Sequence, residues 1–219
     1  MIPLLHDFAD ERVLVVGGGP VGARKARRFD AEARVVVVSA DFADADFGGA
    51  ELIRSSLEPG EVDDWFDRLE PALAIAATDD AALNDAVTSA ARRRGILHNR
   101  ADRAGADREV GSVVVPATVR DDPVCVAVAT GGRAPALSRY LREELEPSIE
   151  GAGAMAEVLG GVREECKRRG VPEHDRRRIV REAARAPELW TALRSGDENH
   201  EQVIEDVLEG EASYGGERP

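Results

Sequence analysis

Residues 12–22 read RVLVVGGGPVG. An apolar run of strand length, Arg12 to Val16, empties into a glycine-rich turn, and the following ARKARRFDAEA carries apolar and small residues at helical spacing. Glycines at Gly17-x-Gly19-x-x-Gly22 permit a tight turn, let backbone N–H groups approach a pyrophosphate and allow the helix to pack closely, while the helix N-terminus favours the phosphate charge. Pro20 suits the first turn of that helix. Alone the pattern is weak, and a merely glycine-rich turn is the competing reading. The strand before it, and a second buried strand ending about twenty residues on, make it a dinucleotide-binding signature.

That second strand, RVVVVS, is β-branched without polar alternation, as expected of a strand covered on both faces in a parallel sheet. The alternation continues outward: ELIRSSL reads as a strand, VDDWFDRL as a short helix, ALAIAA as a buried strand, DDAALNDAVTSAARRRG as a helix ending on Gly95, and ILHN as a strand. The fold class is α/β, a Rossmann-like doubly wound parallel sheet. Beyond about residue 112 the logic changes, because SVVVPATV and PVCVAVAT are separated only by RDD, a hairpin spacing closed to parallel strands. LSRYLREELEPSIE follows as a helix with Leu137, Tyr140, Leu141 and Leu145 on one stripe, and the remaining signals are helical. The expected division is a nucleotide-binding domain over 1–112, an antiparallel hairpin and helix over 113–150 that form a dimerisation region, a small all-helical domain over 151–208, and a disordered tail over 209–219.

Composition narrows the function classes. With 29 basic against 42 acidic residues, a formal charge of −13 and 4% aromatics, the 219-residue chain lacks the charge and the stacking platforms of a non-specific nucleic-acid binder. All but two of the basic residues are arginine, Lys25 and Lys167 being the lysines. Acid-rich, lysine-poor surfaces suit a halophilic protein, although a GC-rich genome explains the arginine bias equally well. Cys125 and Cys166 lie outside any ligand or disulfide pattern, and no stretch has the apolar length of a membrane span, so a cytoplasmic protein without membrane contact is expected. His6, His98, His174 and His200 show no metal-ligand spacing, so no metal site is expected.

Site candidates gather at the carboxyl ends of the parallel strands, where open α/β sheets bind ligands. Asp41, with Ser39 and the Ala40 backbone beside it, is the nearest acid able to accept from ribose hydroxyls, and no arginine follows at once to hold a 2′-phosphate, which favours NAD over NADP. A solvated helix cap before FADADF is the other reading of Asp41. Thr78 is expected to line the cofactor cleft, one of Asp79 and Asp80 to cap the next helix. After the last parallel strand, Asn99 and Asp102 stand among Arg100, Arg103 and Arg108, a carboxylate suited to accepting a proton and guanidiniums suited to carboxylate-bearing ligands. A salt-bridge role for that aspartate is the competing reading.

These residues together resemble the precorrin-2 dehydrogenase/sirohydrochlorin ferrochelatase family of siroheme synthesis, in register through RVLVVGGGPVGARKARRF, LAIAATDDAALN, HNRADRAGADREVGSVVVPATV and PVCVAVATGGRAPALSRYLREELE, roughly residues 1–150. The resemblance implies oxidation of precorrin-2 to sirohydrochlorin with NAD as hydride acceptor. It makes Asp102 the catalytic aspartate and puts Pro20, Val21, Ala40 and Asp41 at cofactor contacts. It sets Thr130 where a serine precedes Gly131, and pairs the chains as homodimers through the hairpin and its helix. A tetrapyrrole bearing eight carboxylates calls for local cations, and Arg100, Arg103, Arg133, Arg139 and Arg142 lie in the relevant segments. Ferrous iron is then the substrate of a chelatase step that this chain either performs, as a bifunctional enzyme and lyase, or leaves to a separate protein. A non-catalytic NAD-sensing module is the reading from another class.

Overall fold

The computed structural model describes residues 3–103, 111–195 and 200–214, with side chains left aside for 200, 201 and 210–214. Five parallel strands, β1 (Arg12–Val16), β2 (Arg34–Ser39), β3 (Glu51–Arg54), β4 (Leu73–Ala76) and β5 (Leu97–Arg100), stand in the order β3-β2-β1-β4-β5. The order reverses between β1 and β4, which opens the crevice where dinucleotides lie in this architecture. Val13 to Val16 and Val35 to Val38 are buried, as the unbroken β-branched runs require.

Helix α1 (Pro20–Phe29) covers one face, its Ala23 and Ala26 packing on Val13, Val15, Val35 and Val37 together with Phe8 and Phe47. Helices α2 (Val62–Leu69) and α3 (Ala81–Arg93) cover the other, where Phe66, Leu83 and Val87 meet Leu14, Val36, Val38 and Ala74. Each buried valine or leucine contributes about 1.5–3 kcal/mol, so the two faces supply the stability that the polar crevice between the strand ends does not. No helix forms between β2 and β3, so Asp41 has no helix to cap.

Two compact units emerge, one of Met1–Val115 with Gly131–Arg133, the other of Pro116–Thr130 with Ala134–Pro219. The second unit holds the hairpin β6 (Ala117–Asp121) and β7 (Val124–Val128), then α4 (Pro135–Leu145), α5 (Ala152–Arg168), α6 (Glu173–Ala183), α7 (Pro187–Ser195) and α8 (His200–Tyr214). Hairpin and C-terminal helices thus group together, whereas the sequence suggests a break near 150. The anchor is Asp121, whose Oδ2 accepts from the Gly153 N–H at the start of α5 (3.1 Å).

Three boundaries differ from expectation. Asp121 pairs with Val124, so the hairpin turn is Asp122–Pro123 and not the three residues RDD. Ser112 bridges His98 in parallel and Val113 to Pro116 lie outside the hairpin, so SVVVPATV is not one strand. Helix α8 continues through 209–214, where a tail was expected, because Val203 and Leu208 bury against α5 and carry the helix on; 215–219 lie outside the described residues.

Candidate functional site

The glycine turn is built from its own backbone demands. Gly17 takes φ +121°, and a Cβ there would collide with the Ala77 carbonyl at the end of β4. A Cβ on Gly22 would strike the Gly17 carbonyl. These two glycines hold turn, helix and β4 together. Gly19 differs: it precedes Pro20 as the N-cap of α1, makes no side-chain cap, and has open space where a Cβ would project. The N-terminus of α1 at half-buried Gly19, exposed Pro20 and half-buried Val21 is therefore open to an anion, and the residues fit a dinucleotide.

The loop after β2 is tied to this turn by the Ala43 N–H donating to the Gly18 carbonyl (2.8 Å). Ser39, Ala40 and Asp41 thereby stand beside the glycines at the strand tip. Asp41 is not alone. Arg54, at the end of β3, donates from Nη1 to Asp41 Oδ1 (2.7 Å) and to the Ala40 carbonyl (3.1 Å), and its guanidinium lies 5.7 Å from the Phe42 ring centre. Sequence reading misses Arg54 because only the pairing of Ser39 with Arg54 in the β2–β3 register brings it there.

At the end of β4, Thr78 is fixed by Asn84 of α3. The Thr78 hydroxyl donates to Asn84 Oδ1 (2.8 Å), and Asn84 Nδ2 donates to the Thr78 carbonyl (2.9 Å). Asp80 caps α3, its Oδ1 accepting from the N–H groups of Ala82 and Leu83 (2.8 and 3.1 Å). Asn84 is almost wholly buried and has no motif of its own in the sequence.

At the end of β5 the arginines divide. Arg100, expected to meet substrate carboxylates, has a side chain only 6% exposed; its Nε donates to Asp102 Oδ1 (2.8 Å), its Nη2 to Asp102 Oδ2 (3.1 Å), and its Nη1 to Asp85 of α3. Burial forces that pairing, because an unpaired guanidinium there would be costly. The hydrogen bonds from Arg100 lower the Asp102 pKa from its ordinary value, against the raising effect of partial burial, which favours the carboxylate form. Arg103 remains partly exposed and reaches Asp85 at 3.4 Å. Asn99 spends its amide on the Val113 carbonyl (2.9 Å), and among the described residues its Oδ1 and both ring nitrogens of buried His98 have no hydrogen-bond partner. Arg108 lies outside the described residues.

In the second unit the Thr130 hydroxyl meets Ser138 Oγ (2.9 Å) and donates to the Ala134 carbonyl (3.1 Å), knotting the turn before α4. Gly131 has φ +64° and open space around it. Arg133 is exposed, Arg139 pairs with Glu143 (3.0 Å) and Arg142 with Glu146 (3.1 Å) along the helix. Among the described residues no group of three or more His, Cys, Asp or Glu could hold a metal ion, and no helix is long and apolar enough to cross a membrane.

A family profile described as "Putative NAD(P)-binding" matches residues 4–117. The chain is similar to the siroheme synthase of Sodalis glossinidius (strain morsitans), 35% identical over 223 aligned residues that cover 99% of this chain and 45% of that protein. It is 36% identical to the siroheme synthase of Azotobacter vinelandii (strain DJ / ATCC BAA-1303), covering 96% and 45%. The chain thus spans less than half the length of the curated relatives it matches. Among solved structures, "SirC, precorrin-2 dehydrogenase" superposes with a TM-score of 0.65 at 21% identity, covering 94% of this chain and 100% of that one, a likeness of fold.

Proposed function

Because the chain belongs to the putative NAD(P)-binding family, in its precorrin-2 dehydrogenase branch, we propose that it oxidises precorrin-2 to sirohydrochlorin with NAD as hydride acceptor. The observation that carries the reading is the Asp102 carboxylate, gripped by Arg100 through two hydrogen bonds at the carboxyl edge of the sheet that presents the glycine turn. NAD, when bound, supplies the electrophilic carbon that takes the hydride. The turn at Gly17, Gly19 and Gly22 with Pro20 and Val21 receives its pyrophosphate; Ser39, Ala40 and Asp41 face its ribose, and Thr78 borders its cleft.

As hydride leaves precorrin-2, a proton must leave too, and Asp102 is its acceptor. Arg100 keeps that carboxylate charged and oriented; the low proton affinity that results lets Asp102 pass the proton on to water. Asn99, Arg103, Thr130, Gly131, Arg133 and Arg139 are assigned to the tetrapyrrole, the cations to its carboxylates. The test is anaerobic NADH formation from precorrin-2 by the purified chain. An NAD-sensing module without catalysis gives none.

The finer proposals rest on the same residues. Ferrous iron insertion, with Asp102 accepting pyrrole N–H protons, is proposed as a second reaction. Anaerobic sirohydrochlorin and ferrous iron without NAD should then give the siroheme spectrum faster than the uncatalysed rate, and Asp102→Ala should slow it. Precorrin-2 oxidation with no acceleration of iron insertion reduces the chain to a dehydrogenase. A homodimer is proposed from the exposed apolar residues of α4, a salt-rich cytoplasm from the acidic balance.

A further inference from the structure

We propose that Arg54 reads the 2′ position of the dinucleotide, so that the chain accepts NADP alongside NAD. The inference rests on dinucleotide binding at the glycine turn. An acid at the tip of β2 ordinarily accepts from the ribose hydroxyls and repels a 2′-phosphate, whereas an arginine nearby accommodates it. This chain has both, in contact: Arg54 Nη1 lies 2.7 Å from Asp41 Oδ1 and 3.1 Å from the Ala40 carbonyl oxygen.

Two features fit the guanidinium to a phosphate. All its hydrogen bonds to the described residues leave from Nη1, so Nε and Nη2, the edge that grips an oxyanion with two parallel bonds, carry none. It is also held in place, by the Ser39–Arg54 register, the Ser55 N–H donating to the Ser39 carbonyl (2.9 Å) and the Phe42 ring beneath it. Asp41, whose charge would repel a phosphate, is neutralised by the group that would bind it. With NAD, Arg54 orients Asp41 toward the ribose hydroxyls. With NADP, its unspent edge takes the phosphate.

Equilibrium binding of NAD and of NADP, measured separately by titration on the full chain, tests this. Wild-type protein should bind NADP within about tenfold of NAD. Arg54→Gln should weaken NADP about tenfold more than NAD, the scale of a lost charge-assisted hydrogen bond on an exposed surface, and Arg54→Lys should recover part of the difference. Asp41→Asn should move the ratio the other way, toward NADP. Both side chains are exposed, and circular dichroism checks the fold. An unchanged NADP-to-NAD ratio in Arg54→Gln, or wild-type protein that binds NAD and not NADP, overturns the proposal and leaves the dinucleotide reading intact. Wild-type protein that binds neither overturns both.

Discussion

Residues of one type differ in what they do here, and the glycines separate cleanly. A Cβ at Gly19 meets open space and one at Gly22 meets the Gly17 carbonyl. Gly19→Val should therefore fold and lose NAD binding, whereas Gly22→Val should lose the folded state first; circular dichroism with NAD titration tells the two apart. A folded Gly19→Val protein of unchanged affinity would remove the pyrophosphate from this turn. Asp102→Ala should keep NAD affinity and lose about 100- to 10,000-fold in turnover, the usual contribution of a positioned acid or base. Its pH dependence follows from Arg100. The folded-state pKa of Asp102 is depressed, so the ionised form, and the stability of the ion pair, persists below the ordinary aspartate value of about 3.9 and is lost only as pH falls through the depressed one. Arg100→Met should move the acid limb of the rate profile to higher pH. A limb that stays in place after this substitution makes Asp102 something other than the titrating base.

At the scale of elements, local chemistry wrote most of the fold into the sequence. The runs RVLVV and RVVVVS announce doubly covered strands, and the caps and glycines mark where helices begin and end. Asp80 is such a mark, and Asp80→Ala should lower stability by about 1 kcal/mol through two lost N-cap bonds, read as a fall in the thermal midpoint. No change would mean that Thr78, whose hydroxyl also engages the Asp80 backbone, holds the helix start alone. What the sequence concealed depends on strand pairing. Arg54 reaches Asp41 across β2 and β3, Asn84 reaches back from α3 to Thr78, and Asp85 draws Arg100 inward, so one arginine assigned to substrate turns out to serve a carboxylate of the protein. None of these partners follows from spacing along the chain. Glycine and aspartate motifs act through backbone conformation, which spacing encodes; ion pairs between neighbouring elements act through register, which it does not.

For the whole molecule, surface decides behaviour. Leu137, Tyr140 and Leu141 on α4 are 48%, 55% and 36% exposed, and no residue of that helix is buried. Such a stripe is costly in water and suits a second copy, so light scattering at micromolar concentration should give twice the 23.5 kDa chain mass, and Tyr140→Glu with Leu141→Glu should give the monomer. A wild-type monomer would leave the stripe without that partner. Charge acts over a longer range. The ion pairs along α5 and α6, such as Lys167 with Glu164 and Arg178 with Glu182, are largely exposed and individually contribute little. They do not cancel a formal charge of −13, whose self-repulsion opposes the compact state. Salt shortens the reach of that repulsion from about 30 Å at 0.01 M to about 3 Å at 1 M. If the acidic surface is matched to a salt-rich interior, dialysis from 1 M to 0.01 M salt should lower the thermal midpoint and weaken the proposed self-association, since both fold and association then work against unscreened like charge. A midpoint and mass unchanged at 0.01 M would show that hydrophobic burial outweighs the repulsion unaided, and would return the arginine bias to genome composition.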